Sequence, residues 1–367
     1  MKIAIITALA GFAAVAAAQV TPNNGDIIFT SQQANAIKII SGTTPGGATT
    51  LYASSNPMTQ YTGISLAPDG NYYVGDGRVS NLNPNDAGIT RVNNIFSGSA
   101  SVTPITVGNP LQNPVNLVWS SDANRFIVVN SPAGPQVPQP FDGIFGVTTG
   151  GVINTYFSEG PMSDPRPRYN GGFGIVQDPR PGSRDFLVTT INGGVQTDPS
   201  PSNPFPFDGE ASAVWRLSFN AGTGSYSLGT TPLVDFSPSV TGFTGFYNTR
   251  GIAAVPGTNS FYTTDLVAGV INEVTMDALG NFQSIQTILT GLNQPESIIY
   301  NPFTNQLVFD ERGDLTASQI STVNLDGTGR VVLYAGEHAR GFAIVPSPAS
   351  VALLGLGGLL AARRRRA

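Results

Sequence analysis

A short unit recurs six times along the chain and constrains the fold more than any other feature. Each copy starts with a small residue followed by an apolar one, and five copies have proline five positions after the small residue. The copies start at Gly63, Asn116, Gly174, Gly251, Ser297 and Gly341, and the fifth positions are Pro68, Ser121, Pro179, Pro256, Pro302 and Pro346. Proline fixes φ and lacks an amide donor, so it suits a turn and not a strand interior. The unit therefore predicts a strand that ends in a proline-containing turn.

The spacing of the copies predicts how these strands are arranged. A second strand of aromatic and β-branched residues follows the turn in the first five copies, and the steps between copies are 53, 58, 77, 46 and 44 residues. These second strands are predicted at 72–74, 126–129, 186–188, 261–263 and 307–309. Steps near 40 to 50 residues with four short strands each are typical of β-propeller blades. We predict an all-β, six-bladed β-propeller. The alternatives are a seven-bladed ring, because the Gly174 step is long, and a β-sandwich or β-helix.

The last copy has no second strand behind it, and the beginning of the chain offers the missing strands. Residues 26–30, 36–40 and 49–52 have strand-forming sequences. We therefore expect the final inner strand, 341–346, to pair with the N-terminal strands and complete the sixth blade. The other blades are predicted at 61–108, 113–158, 170–237, 248–290 and 294–336.

Charge and composition exclude several classes of function. Without Lys2 and the four arginines at 363–366, 13 basic residues remain against 23 acidic ones, which opposes nucleic-acid binding. The chain has no cysteine, so it forms no disulfide, thiol nucleophile or cysteine-ligated metal site. Its one histidine, His338, excludes multi-histidine metal sites and would have to serve any Ser-His-Asp triad. No G-x-S-x-G motif accompanies it, so we predict no catalytic residues and expect His338 to be structural.

Both ends of the chain predict export. Residues 1–18 combine Lys2, an apolar stretch and an Ala16-Ala17-Ala18 site, as in a signal peptide. The segment 346–367 has a Pro-x-Pro sequence at Pro346 and Pro348, a short apolar stretch, and terminal arginines at Arg363, Arg364, Arg365 and Arg366. The domain prediction is thus a signal peptide (1–18), a propeller (19–346) and a tail (346–367).

This tail resembles the PEP-CTERM sorting signal, although Ser347 stands where that family usually has Glu. The resemblance implies transient anchoring of a transmembrane helix in the inner membrane and processing by an exosortase-type enzyme. It implies final localisation at the cell surface or in the extracellular matrix. A permanent C-terminal membrane anchor is the alternative, although the apolar run is short for a span.

Polar residues occur where neighbouring strands should meet at one end of the channel. Asp76, Asn130, Asn192, Asp265 and Asp310 end second strands, and Asn116, Arg250, Glu296 and Arg340 begin or precede first strands. Antiparallel pairing would bring all nine to one channel mouth, where they could bind Ca²⁺ or hydrogen-bond a sugar. The alternative is that they cap the turns at strand ends. Three Pro-rich segments, 132–143, 160–172 and 196–209, should lie over the same face.

The blade spacing and these polar strand ends are similar to those of the six-bladed NHL and SMP-30/gluconolactonase-like group. The lactonase branch implies a divalent ion on Asn192, Glu296 and Asp310, with Asp265 as a further counterpart. Asp76, Asn116, Asn130, Arg250, Asp265 and Arg340 would then bind the ligand. We consider two functions: a non-catalytic binding or scaffolding module for an extracellular glycan or protein, without a cofactor, and a Ca²⁺-dependent hydrolase of the lactonase type.

Overall fold

The regular structure of the chain consists of β-strands. The computed structural model describes residues 19–56, 58–77, 87–108, 110–131, 143–158, 171–191, 212–236, 248–313 and 317–347. The 25 regular elements of these residues are all strands, numbered β1 to β25 in chain order. The predicted signal peptide, residues 348–367 of the sorting tail and nearly all of the Pro-rich segments lie outside the described residues.

The strands form six antiparallel sheets, one for each predicted blade. The closing sheet contains β1 (Ile27–Ser31), β2 (Ala36–Ile40), β3 (Thr49–Ala53) and β25 (Ala339–Ile344). The next two contain β4 (Tyr61–Leu66), β5 (Tyr72–Asp76), β6 (Gly88–Asn93) and β7 (Ser101–Val107), then β8 (Pro114–Ser120), β9 (Arg125–Asn130), β10 (Gly143–Val147) and β11 (Ile153–Ser158). The fourth contains β12 (Gly172–Gln177), β13 (Phe186–Thr190), β14 (Ala213–Asn220), β15 (Ser225–Leu228) and β16 (Val234–Asp235). The last two contain β17 (Thr249–Ala254), β18 (Ser260–Asp265), β19 (Val270–Met276) and β20 (Phe282–Leu289), then β21 (Pro295–Asn301), β22 (Gln306–Glu311), β23 (Gln319–Asn324) and β24 (Val331–Ala335).

The two ends of the propeller domain share one blade, as predicted. Strand β25 pairs antiparallel with β1, with Phe342 opposite Phe29 and Ile344 opposite Ile27. The last strand of the domain is therefore the innermost strand of a blade whose other strands come from its beginning. The seven-bladed alternative is wrong for the described residues: the long fourth sheet holds only the extra two-residue strand β16, which pairs with β14.

The six blades pack face to face around a ring. The innermost strands β4, β8, β12, β17, β21 and β25 each contact the next, and β25 contacts β4. Buried apolar side chains form six clusters among the described residues, one between each pair of adjacent blades. Burial between blades is the main stabilising contribution for such a ring, and closure protects the sheet edges that would otherwise invite aggregation.

The small residue of the repeat lies where neighbouring inner strands approach most closely. A Cβ atom on Gly251 would lie 2.5 Å from the carbonyl oxygen of Glu296 in the next blade. The equivalent atom on Gly174 would lie 2.6 Å from the Arg250 carbonyl, and on Gly341 it would lie 2.7 Å from Gly63 Cα. These separations are too short for a Cβ contact, so the repeat requires a small residue here because blades pack closely at the centre of the ring.

A threonine hydroxyl bridges adjacent blades beside this glycine. Thr264 accepts a hydrogen bond from Gly251 N (2.9 Å) and donates one to Glu296 O of the next blade (2.8 Å). Thr189 makes the same pair of contacts with Gly174 N and Arg250 O. The hydroxyl thus satisfies two buried backbone groups that belong to different blades.

Replacing Thr264 by valine is expected to lower the free energy of unfolding by about 1–3 kcal/mol, because two buried backbone groups lose their partner. Thr263→Val is the matched control, since the Thr263 hydroxyl is buried in the same strand and has no hydrogen-bond partner among the described residues. We expect the control to be neutral or stabilising. Denaturant midpoints at an unchanged m-value measure both effects. Equal destabilisation by the two variants would contradict the bridging role.

Candidate functional site

The inner strands place one equivalent side chain each at the end of the channel where these strands begin, which we call the channel mouth. The side chains directly before the small residues of the repeat are Thr62, Val115, Phe173, Arg250, Glu296 and Arg340. Around the ring, Glu296 lies between Arg250 and Arg340. The pairing of β17 and β21 with their second strands shifts register at these positions. Such bulges re-aim side chains, which accounts for charged residues facing one another in an otherwise regular sheet.

One carboxylate binds two guanidinium groups at the mouth. Arg250 Nη1 lies 2.5 Å from Glu296 Oε1, and Arg340 Nη1 contacts the same oxygen. The Glu296 side chain is fully buried, whereas the Arg250 and Arg340 side chains are 15% and 20% exposed. Two positive charges therefore face one negative charge, and each arginine side chain retains some exposure to solvent.

Further contacts hold the two arginines in position. Arg250 Nε donates to Asn248 Oδ1 and Arg340 Nε donates to Gln32 Oε1, both at 2.7 Å. Both guanidiniums also lie near the ring of Phe173, at 5.0 and 5.9 Å from its centroid, within cation–π range. Neither Nη2 group makes a hydrogen bond with a described residue. Within the described part of the chain, the two Nη2 amino groups are therefore unused donors.

Asp310 breaks the threonine bridge of the repeat at this place. It occupies the position that Thr264 and Thr189 hold in the preceding blades. Its Oδ1 accepts the amide of Ser297 at 2.5 Å, and the Ser297 hydroxyl takes over the contact with the next blade by donating to Arg340 O (3.0 Å). Because the bridge is made by other atoms, Asp310 Oδ2 is left facing the mouth cluster. At this one blade, a carboxyl group thus stands at the position of the bridging threonine.

His338 contacts both carboxyl groups of the cluster. Its Nε2 lies 2.8 Å from Glu296 Oε2 and 3.2 Å from Asp310 Oδ2, and its side chain is 1% exposed. These three atoms and His338 Nδ1 complete no well-aligned hydrogen bond with a described residue. Buried polar atoms without a partner are uncommon in folded proteins and often mark a functional site. His338 is therefore a member of the mouth cluster, a placement that the sequence did not predict.

Burial and neighbouring charges shift the pKa values of this cluster in different directions. Burial alone would raise the pKa of Glu296, but Arg340 and Arg250, helped by His338, outweigh it and hold that pKa well below its usual range. Burial, with the ionised Glu296 nearby, raises the pKa of Asp310 well above its usual range. Burial lowers the pKa of His338 despite the opposing effect of Glu296. These shifts favour the ionised form of Glu296 and the uncharged forms of Asp310 and His338.

A third arginine adds to the positive charge of the mouth. Arg312 follows β22 and acts electrostatically on both His338 and Arg340. Its side chain makes no ion pair with a described residue, and its Nε is buried without a hydrogen-bond partner. The preceding residue, Glu311, is bound to Arg330 instead. The mouth thus holds two guanidiniums bound to Glu296 and a third that acts electrostatically on Arg340 and His338.

The other predicted strand-end residues have capping roles. Asp265 accepts hydrogen bonds from the amides of Asn248, Val267 and Ala268, and from the Thr249 hydroxyl. In other blades, Asp76 accepts the amide of Gln60 (3.3 Å) and Asn130 accepts that of Asn113 (2.9 Å). Glu311 takes the same role for Asn293 (2.7 Å) in the blade of Asp310. These contacts match the alternative that strand-end residues cap turns, and they show that Asp310 lies one residue before the capping position.

Two predicted residues do not belong to the described cluster. Asn116 lies one residue later in its strand than Arg250 in its own, at the small-residue position, and its Oδ1 accepts the amide of Leu117. Asn192 lies outside the described residues. Of the nine predicted residues, the structure brings together Arg250, Glu296, Arg340 and Asp310, and it adds His338 and Arg312.

The donors at the mouth do not fit the Ca²⁺ site implied by the gluconolactonase resemblance. Ca²⁺ takes about six to eight oxygen ligands at 2.3–2.6 Å. The oxygens of Glu296 and Asp310 instead lie against an imidazole, and the first carboxylate is already bound to two guanidiniums, whose charge repels a cation. Among the described residues, no group of three or more acidic, histidine or cysteine side chains could hold a metal ion.

Beyond the mouth, the inner strands line a cavity of about 370 Å³ in the channel. Its walls are mainly apolar, with Ile175, Ile252, Ile298 and Phe342 among the lining residues. The charged cluster at the mouth is therefore followed by an apolar channel.

No family model and no curated protein matches the chain. Solved structures share its fold at low sequence identity. One is from a nidogen/laminin complex, with 12% identity over 88% of this chain and 99% of that chain, at a TM-score of 0.56. TolB of Acinetobacter baumannii matches with 15% identity over 88% and 67%, at a TM-score of 0.53. A gluconolactonase of Xanthomonas campestris matches with 11% identity over 89% and 93%, at a TM-score of 0.51. At these identities the likeness concerns the fold alone.

The membrane prediction concerns the ends of the chain. Within the part of the chain that the structure describes, no helix is long and apolar enough to cross a membrane. The predicted apolar tail segment lies outside that part.

Proposed function

We propose that the protein is an exported β-propeller that acts as a binding module at the cell surface or in the extracellular matrix, with its ligand site at the channel mouth. The observation that supports this most is the mouth cluster itself. Glu296 contacts Arg250, Arg340 and the buried His338, and His338 Nδ1 has no hydrogen-bond partner among the described residues. A buried polar atom of this kind beside partly exposed arginine side chains favours recognition of a polar ligand.

Sorting is part of the same proposal. The signal peptide at 1–18 would direct export, and an exosortase-type enzyme would process the tail beginning at Pro346. The partner would be an extracellular glycan or protein. One structure with this fold comes from a nidogen/laminin complex, and it carries no partner over to this chain.

The competing function is that of a Ca²⁺-dependent hydrolase, and the side chains at the mouth argue against it. A lactonase mechanism of that kind needs a cation to polarise the carbonyl group of the substrate. At this mouth, Arg250 and Arg340 occupy the carboxylate that the cation would require. The fold alone leaves both functions open, since one neighbour is a gluconolactonase and another belongs to a complex.

We expect the full chain to bind members of an array of extracellular glycans and matrix proteins equally in Ca²⁺ and in EDTA. In parallel, about 1 mM Ca²⁺ should not raise its melting temperature, whereas a site of about 10 μM affinity would add about 2.7 kcal/mol to its stability. A panel of lactones should show no turnover. Lactone hydrolysis that EDTA abolishes would support the hydrolase, and failure to bind any array member would contradict the binding module.

A further inference from the structure

We propose that the channel mouth is a carboxylate-binding site in which Arg250, Arg312 and Arg340 recognise a carboxylate group of the ligand. This inference rests on the proposed binding function and names the chemistry of the group that is bound. It concerns an anion, whereas the gluconolactonase resemblance implied a cation at the same end of the channel.

The balance of charge at the mouth favours an anion. The guanidiniums of Arg250 and Arg340 face the single carboxylate of Glu296, and Arg312 acts electrostatically on Arg340. Burial shifts the pKa values of Asp310 and His338 towards their uncharged forms. The cluster therefore carries an excess of positive charge within a propeller whose remaining composition is acidic. Burying unbalanced charge is unfavourable, so a bound anion would lower the free energy of this arrangement.

The donors left over by the protein contacts also match a carboxylate. The Nη2 groups of Arg250 and Arg340 make no hydrogen bond with a described residue, and the Arg312 guanidinium makes no ion pair with one. Guanidinium groups bind carboxylates through parallel N–H donors, often two at a time. The Phe173 ring beside both guanidiniums restricts their orientation, which reduces the entropy lost on binding.

The cost of removing the ligand from water distinguishes between anions. The desolvation penalty of an ion rises with the square of its charge, whereas its attraction to the guanidiniums rises only in proportion to the charge, so a monoanionic carboxylate is favoured over a phosphate dianion in this mostly buried site. His338 Nδ1, which has no hydrogen-bond partner among the described residues, can still hydrogen-bond a neutral or singly charged group nearby. We therefore assign the site to a carboxylate and not to a phosphate.

Calorimetry of the full chain with sodium D-glucuronate, D-glucose and sodium phosphate tests this assignment, because the two sugars differ by the carboxylate. We expect glucuronate to bind, glucose to bind at least about tenfold more weakly, and phosphate to bind more weakly than glucuronate. Arg312→Gln should weaken glucuronate binding about tenfold or more, since a charge-assisted hydrogen bond is lost. Arg312 makes no ion pair with a described residue, so this variant should fold normally.

Arg184→Gln is the matched control, because Arg184 is 45% exposed and pairs with Asp122 away from the mouth. It should leave glucuronate binding unchanged. Equal binding of glucose and glucuronate, tighter binding of phosphate, or equal effects of the two variants would overturn the carboxylate assignment. If array members bind while glucuronate does not, the binding module stands and this assignment fails. If neither binds, the proposed function fails as well.

Discussion

Glu296→Gln is expected to lower the free energy of unfolding at neutral pH by about 3 kcal/mol, one of the largest effects available at a single position outside the apolar core. The change leaves Arg250 and Arg340 without their shared carboxylate in a mostly buried site. Removing one partner of a buried ion pair costs about 3–5 kcal/mol. We take the lower end because both arginine side chains are partly exposed.

The pH dependence of this loss has a definite sign. The pKa of Glu296 is lower in the folded protein than in the unfolded chain, so its contribution is present above the unfolded pKa of about 4.3 and is lost as the pH falls. The difference between wild type and Glu296→Gln should therefore shrink below about pH 4.

Urea unfolding at several pH values measures both effects. Glu273→Gln is the control, because Glu273 accepts a hydrogen bond from Tyr262 and makes no ion pair with a described residue. A Glu296→Gln variant within about 0.5 kcal/mol of wild type at neutral pH would show that the two guanidiniums do not depend on this carboxylate.

The architecture could be predicted from the sequence because the proline and the small residue of the repeat each have a local structural role. The proline positions that follow inner strands, such as Pro256 after β17 and Pro302 after β21, mark where each strand must end. The small residue marks where blades approach, as the close contact of Gly251 with the next strand shows. Both signals are local, so counting them yields the number of blades. The pairing of β25 with β1 followed from the last copy lacking a second strand.

The site could be predicted only in part, because its composition depends on register and on contacts across blades. The sequence grouped Asp310 with Asp265 as residues that end second strands. In the blade of Asp310, however, the residue that caps the turn is Glu311. A difference of one residue turns a strand side chain to the opposite face, which sequence spacing could not resolve. His338 and Arg312 were missed because each enters the site from a loop end. One signal was available: His338 lies two residues before Arg340, at the same end of the same strand.

The second prediction with a large effect concerns Asp310. Its carboxyl group is buried at a position where the preceding blade has Thr264. The groups that face it are Glu296 on β21, His338 and Arg340 at β25, and Arg312 after β22. Burial and Glu296 raise its pKa in the folded protein above the unfolded value. The contribution of such a group to stability is complete below the unfolded pKa of about 3.9 and is lost as the pH rises towards the folded pKa.

Asp310→Asn should therefore become progressively more stable relative to wild type as the pH rises from about 4. The difference should grow by up to about 1.4 kcal/mol per pH unit until the folded pKa of Asp310 is reached. The amide keeps an oxygen for the Ser297 N–H and does not titrate. His338 titrates in both proteins, so its loss of stability below about pH 6.5 largely cancels in the comparison.

Asp277→Asn provides a control of opposite sign, because hydrogen bonds from Asn281 lower the pKa of the exposed Asp277. That variant should lose stability relative to wild type above the unfolded pKa. A constant difference between wild type and Asp310→Asn from about pH 4 to 8 would mean that Asp310 titrates alike in the folded and unfolded chains. In that case the mouth would carry two ionised carboxylates, and the excess positive charge on which carboxylate binding depends would be reduced. The pH series on Asp310 thus tests the electrostatic premise of the ligand site without requiring any ligand.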